Sequence, residues 1–134
     1  AEPINPAPPV TNIFFIKLFY TSTALWITMQ SKKLGVLLAA PSTSSNSQAV
    51  FHLCQEALQA GLDVYLYLID QGVQSLRDER YLTLSQSGVK FFACAYGCER
   101  HQISTDNLPP TVSLSGLVVL SHIINGCDRF LAFT

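Results

Sequence analysis

The chain has 134 residues, enough for one domain with a proper core but hardly for two. Hydrophobic residues make up 49% and charged residues only 13%, well below the roughly 25% of ordinary soluble domains, so part of the surface is expected to be covered in a subunit interface. A net charge of −1 provides no basic field to recruit nucleic acid, and four cysteines in so long and apolar a chain do not form the framework of a disulfide-stapled secreted mini-protein.

Residues 1–28 differ from the rest and read as an N-terminal extension, followed by a domain over 29–134. Pro3, Pro6, Pro8 and Pro9 keep the first ten residues extended. Residues 13–29 are strongly apolar but broken by Lys17, too short and flawed for a membrane span. No cation precedes that run, as a secretory signal would require, so the expected location is cytoplasmic, away from any membrane. Met29-Gln30-Ser31-Lys32-Lys33 resembles an ordinary protein start, which would make 1–28 an appendage: an extra strand and helix, or an arm packed on the domain or a neighbouring subunit.

From Lys33 the pattern is regular. Residues 34–40 form a short continuous apolar run, as in a strand covered on both faces. Pro41-Ser42-Thr43-Ser44-Ser45-Asn46 is a polar loop rich in helix N-cap residues. Val50, Leu53, Cys54, Ala57 and Leu58 then mark one buried helical face, which Gly61 ends. A second strand covers 64–69, a turn 70–73 and a helix 76–86, with Arg77, Asp78, Glu79 and Arg80 on its wet side. Gly88 precedes a third strand over 89–93. A short turn or helix holds 98–101, and 107–110 is loop. Residues 111–114 form a brief strand, after which Ser115 is expected to cap a helix over 116–125. That helix is apolar nearly all round, so it is central or lies at a subunit contact. Residues 129–133 are the last strand. Strands alternating with helices imply right-handed crossovers: a flavodoxin-like three-layer αβα sandwich with a mostly parallel sheet of about five strands.

Cys94-Ala-Tyr-Gly-Cys98, directly after the third strand, is the segment richest in chemistry. Ligands of α/β proteins collect outside the carboxyl ends of the strands. A thiol beside a helix N-terminus and a cation ionises more readily, and the thiolate is the nucleophile. Cys94 is therefore the candidate nucleophile, Arg100 and His101 candidate sources of positive charge, and Cys98 either a second thiol or a packing residue. A turn can bring positions four apart within the Cα separation that a disulfide allows. Cys54 and Cys127 read as small core residues and His52 as structural. A zinc site would need two ligands beyond Cys94 and Cys98. His101 and His122 are the available histidines, but no second pair has finger-like spacing, so no metal is expected. The serine loop is not glycine-rich and does not make a phosphate cradle.

With these elements placed, residues 33–134 resemble the DsrE/DsrF-like family of sulfur-relay proteins. The likeness rests on the strand, serine loop and helix opening, and on Gly72-Val73 after the second strand, with Gln71 where an aspartate is common. It rests also on Gly88-Val89 leading into a strand that ends at Cys94, and on Ser113-Leu114-Ser115-Gly116-Leu117 with Cys127-Asp128-Arg129 before a terminal strand. Where members often carry Arg-Gly-Ile, this chain has His101-Gln102-Ile103, with the arginine one position earlier at Arg100. The resemblance implies a homo-oligomer, trimer or hexamer, whose Cys94 carries sulfur as a persulfide between donor and acceptor proteins, without a cofactor. The alternatives are a non-catalytic oligomeric scaffold, with a small-ligand pocket between subunits built from 41–46 and the Cys94 region, and a Cys94/Cys98 thiol–disulfide protein.

Overall fold

A computed structural model describes residues 31–134, so the readings for 1–28 and for Met29-Gln30 lie outside the described residues. Residues Lys32–Thr134 form one compact unit. Its strands are β1 (Lys33–Leu38), β2 (Asp63–Leu68), β3 (Lys90–Cys94), β4 (Val112–Ser115) and β5 (Arg129–Phe133). They make a five-stranded sheet in the order β4-β3-β2-β1-β5, with every pairing parallel. The helices are α1 (Ser45–Gln59), α2 (Glu79–Gln86), α3 (Ala95–Arg100) and α4 (Leu117–Gly126), and a 3-10 segment spans Asp70–Arg77.

Alternation along the strands divides the core in two. Leu34, Val36 and Leu38 of β1, Val64, Leu66 and Leu68 of β2, and Phe91 and Ala93 of β3 point to one face, where Val50, Cys54 and Ala57 of α1 and Tyr81 and Leu84 of α2 cover them. Leu37, Tyr65, Tyr67, Phe92 and Cys94 point to the other, packed with Val119, Leu120 and Ile123 of α4. This is the three-layer flavodoxin-like arrangement that the sequence pattern implies. Steps from β1 to β4 run in one direction and place their connections on the first face. The return from β4 to β5 runs the opposite way, so a right-handed crossover carries α4 over the second face.

Two local readings change. The helix expected over 76–86 is divided at Asp78, which is extended (φ −97°, ψ 116°) and caps α2 by accepting the Arg80 backbone N–H at 2.9 Å. Residues before it are not a turn but the 3-10 segment. Ser115 does not cap the last helix: Gly116 occupies the N-cap, and no side chain makes a capping bond there. The hydroxyl oxygen of Ser115 is instead buried, beside the Tyr67 phenol.

Gly72 fixes the passage from β2 into the 3-10 segment. Its N–H donates to the Ile69 carbonyl at 2.8 Å, and its α-carbon faces the backbone of Leu38, where any Cβ would overlap the carbonyl oxygen. Backbone cannot yield as a side-chain tip can. Gly72→Ala is therefore expected to cost at least about 3 kcal/mol, lowering the midpoint of thermal unfolding followed by circular dichroism by roughly 10–20 °C; an unchanged midpoint would disprove the close approach.

Candidate functional site

Outgoing connections part at the carboxyl ends of β3 and β4. From β3 the chain turns into α3, whose Cys98 joins the core on the α1/α2 face, whereas β4 leads into α4 on the opposite face. A crevice opens where neighbouring strands send their chains to opposite sides. Here it is a cleft of about 720 Å³ lined by Ile69, Asp70, Cys94, Ala95, Tyr96, Gly97, Arg100, Ser115, Gly116 and Leu117.

Cys94, the last residue of β3, lies in this cleft with only 7% of its surface exposed. Its extended backbone (φ −67°, ψ 117°) makes it the N-cap of α3, and its Sγ accepts the Gly97 N–H at 3.4 Å. That amide is brought close because residue 97 lacks a side chain: a Cβ there would stand 3.1 Å from Val73 Cγ1 and 3.4 Å from the Asp70 nitrogen.

Parallel register sets Cys94 opposite Ser115, and both residues lie at the cleft. Beneath them is Tyr67, fully buried, whose phenol donates to the carbonyls of Gly116 at 3.0 Å and Ser115 at 3.4 Å. Burial raises the pKa of the Tyr67 phenol above its ordinary value; the Ser115 side chain opposes that shift by hydrogen bonding, and the neighbouring Cys94 adds to it. The phenol stays neutral at physiological pH and serves as a strut between β2 and the start of α4.

The four residues singled out by sequence are not all brought together. Arg100 lines the cleft with Cys94. His101 is directed elsewhere: its Nε2 lies 3.0 Å from Asp70 Oδ1, tying the end of α3 to the 3-10 segment. Asp70 reaches that position in the left-handed region (φ 49°), where aspartate is among the better tolerated residues. Cys98 is 1% exposed, packed in the α1/α2 face of the core, and its thiol is shifted up by burial and by the nearness of Cys94. No residue of 41–46 lines the cleft. Ser44 caps α1, and Asn46 donates to the Thr134 carbonyl at 2.8 Å.

The remaining cysteines occupy different surroundings. Cys54 is buried in α1, with its thiol pushed up to about 12 by desolvation. Cys127 follows α4 and lines a second, smaller cleft of about 260 Å³ with Lys33 and His122. Burial raises its pKa, and Lys33 opposes that shift.

Sequence reasoning missed Tyr67 and Asp70 and misassigned Ser115. Tyr67 was legible only as one apolar position in a strand, since its chemistry depends on the pairing of β2 with β3. A signal for Ser115 did exist, in a serine at the carboxyl end of a strand immediately before a glycine and a helix, but it read equally well as a cap.

The model of the DsrE/DsrF-like family matches residues 32–133, and the chain belongs to that family. Its fold is similar to that of the ychN protein from E. coli (TM-score 0.65, 22% identity, covering 78% of this chain and 100% of that one). It is also similar to MTH1491, a protein of unknown function from Methanobacterium thermoautotrophicum (TM-score 0.59, 18% identity, 76% and 99%). BT1422, a conserved protein of unknown function from Bacteroides thetaiotaomicron, is a third (TM-score 0.54, 24% identity, 76% and 95%). No curated protein matches the chain.

Raised pKa values hold back two of the buried cysteines. At pH 8 a thiol shifted to about 12 is almost wholly protonated, and the buried Cys98 is likewise disfavoured. Iodoacetamide at that pH should label Cys94 before Cys54 and Cys98, as read by peptide mass mapping over time. Labelling of Cys54 or Cys98 at the same rate would overturn this order.

Proposed function

We propose that the protein is a persulfide carrier in a sulfur relay, with Cys94 as the atom that accepts and hands on sulfur. The observation that carries this reading is the Cys94 thiol, which opens into a deep cleft at the carboxyl edge of the sheet with the Gly97 amide aimed at it. Membership of the DsrE/DsrF-like family supports it. The Cys94 thiolate attacks the outer sulfur of a donor persulfide; a new S–S bond forms, the donor S–S bond breaks, and the electron pair leaves on the donor thiolate. An acceptor thiolate then attacks the outer sulfur of the Cys94 persulfide and regenerates Cys94. No net oxidation occurs, and neither a metal nor a cofactor takes part. The Arg100 guanidinium, permanently charged, offers the anionic sulfur a cation across the cleft.

Cys98 has a packing role in this scheme. A buried thiol with a raised pKa is a poor resolving nucleophile, which favours transfer over a Cys94–Cys98 disulfide cycle. Four free cysteines suit a reducing compartment, so we assign the cytoplasm. No helix among the described residues is long and apolar enough to cross a membrane. Donor and acceptor are proteins presenting a persulfide or a thiol, and a net charge of −1 favours no direct nucleic-acid partner.

Tyr96 and Leu117, which line the cleft, are exposed at 68% and 62%, and Val118, next to Leu117 in α4, at 71%. Apolar side chains so placed favour homo-oligomerisation, as a trimer or hexamer, through this face. They also favour a second reading, in which the cleft binds an apolar small ligand without chemistry.

Two experiments decide. Incubated with a cysteine desulfurase and cysteine, the wild type should gain one sulfur atom by intact mass, and the gain should vanish in Cys94→Ser and survive in Cys98→Ser. No gain in wild type favours the binding scaffold, and an oxidised form two protons lighter, lost in either mutant, favours the dithiol pair. In sedimentation velocity at micromolar concentration the wild type should run as an assembly, shifted toward monomer by Val118→Glu. A monomeric wild type would remove the interface.

A further inference from the structure

Resting on the carrier reading, we infer that the cleft takes a second class of sulfur acceptor beside the protein one: a low-molecular-weight thiol with an apolar body and one carboxylate, the carboxylate held by Arg100 and the thiol directed at Cys94.

Shape comes first. Cys94 is only 7% exposed and lines a cleft of about 720 Å³, so whatever takes sulfur from it must enter that cleft. A folded protein reaches such an atom only with a protruding segment, whereas the volume falls within the range of roughly 300–1,000 Å³ typical of small-molecule sites. Ile69, Ala95, Tyr96 and Leu117 make the walls largely apolar, and apolar walls retain an aliphatic or aromatic body by removing its surface from water.

Charge then fixes one end of the ligand. Two charged side chains line the cleft, Asp70 and Arg100. Asp70 is already engaged, its Oδ1 lying 3.0 Å from His101 Nε2. Arg100 is exposed and makes no ion pair among the described residues, so its planar fork of N–H donors is open to the two oxygens of a carboxylate.

Position along α3 sets the length. Cys94 is the N-cap of this helix and Arg100 its last residue, which at a rise of about 1.5 Å per residue separates the two α-carbons by about 9 Å along the axis. Helical side chains lean toward the N-terminus, so thiol and carboxylate stand about that far apart or closer. An aliphatic chain of about six carbons has that reach.

The step is the discharge half of the relay. The ligand thiolate attacks the outer sulfur of the Cys94 persulfide; a new S–S bond forms on the ligand, the bond from Sγ to the outer sulfur breaks, and the electron pair stays on Sγ as thiolate. The ligand leaves as its own persulfide, with no net oxidation.

The probes are 6-mercaptohexanoate and 6-mercaptohexan-1-ol, which carry the same thiol on the same chain and differ in the carboxylate. Protein loaded by a cysteine desulfurase and then freed of it is mixed with each thiol, and intact mass follows the loss of one sulfur atom. The carboxylate should discharge wild-type Cys94 about tenfold faster than the alcohol at low concentration, since one charge-assisted contact separates them. In Arg100→Gln the two thiols should become equivalent. Reading the ratio within each protein cancels any effect of Arg100 on the sulfur itself. Equal rates for the two thiols in wild type overturn the inference while leaving the carrier reading intact, and so does a ratio that survives in Arg100→Gln. A loaded wild type that neither thiol discharges does the same, leaving the protein acceptor alone. A wild type that takes up no sulfur overturns the carrier reading, and this one with it.

Discussion

The return of the chain from β4 to β5 is the constraint on which the rest of the molecule depends. Four strands step in one direction, and the fifth must be laid against β1 on the far side of the first. A ten-residue helix is only about 15 Å long, while four strand spacings amount to about 19 Å. Among the described residues, this one short helix packs on that face of the sheet. Its departure from β4, toward the face opposite to the one that α3 joins after β3, opens the cleft beside Cys94.

This geometry gives the two faces different characters. The α1/α2 face is a closed core in which Val36, Leu38, Val50, Cys54, Leu66 and Phe91 are inaccessible or nearly so. The α4 face is thinner, and Leu117, Val118 and Ile124 remain exposed. Cys94 and these exposed apolar residues thus fall on the same side of the sheet. Under the proposed carrier function, that placement would let a partner protein dock beside the thiol.

Around Cys94 the polar groups divide by whether they are already satisfied. Tyr67 and the Asp70–His101 pair are committed to structure: the phenol braces the β4–α4 junction, and the carboxylate holds the end of α3. Gly97 N–H is committed to the sulfur. The Ser115 oxygen is buried beside the Tyr67 phenol, and the start of α4 has no side-chain cap.

Periodicity alone determined the alternating elements, the parallel sheet and the residue at the carboxyl end of the third strand. Apolar runs at 34–40 and 64–69 and the stripe Val50, Cys54, Ala57 have no other stable arrangement. Cys94 was identifiable for the same reason, because strand ends are where such sheets do chemistry. What tertiary structure decided was every relation between segments distant in the chain. It turned His101 toward Asp70, sent Cys98 into one core and Cys94 toward the other, and set Ser115 and Tyr67 beside the thiol. Strand register and the side taken by each crossover fix those relations, and neither is written in local sequence. A serine before a helix reads as its cap until the strand beside it is known.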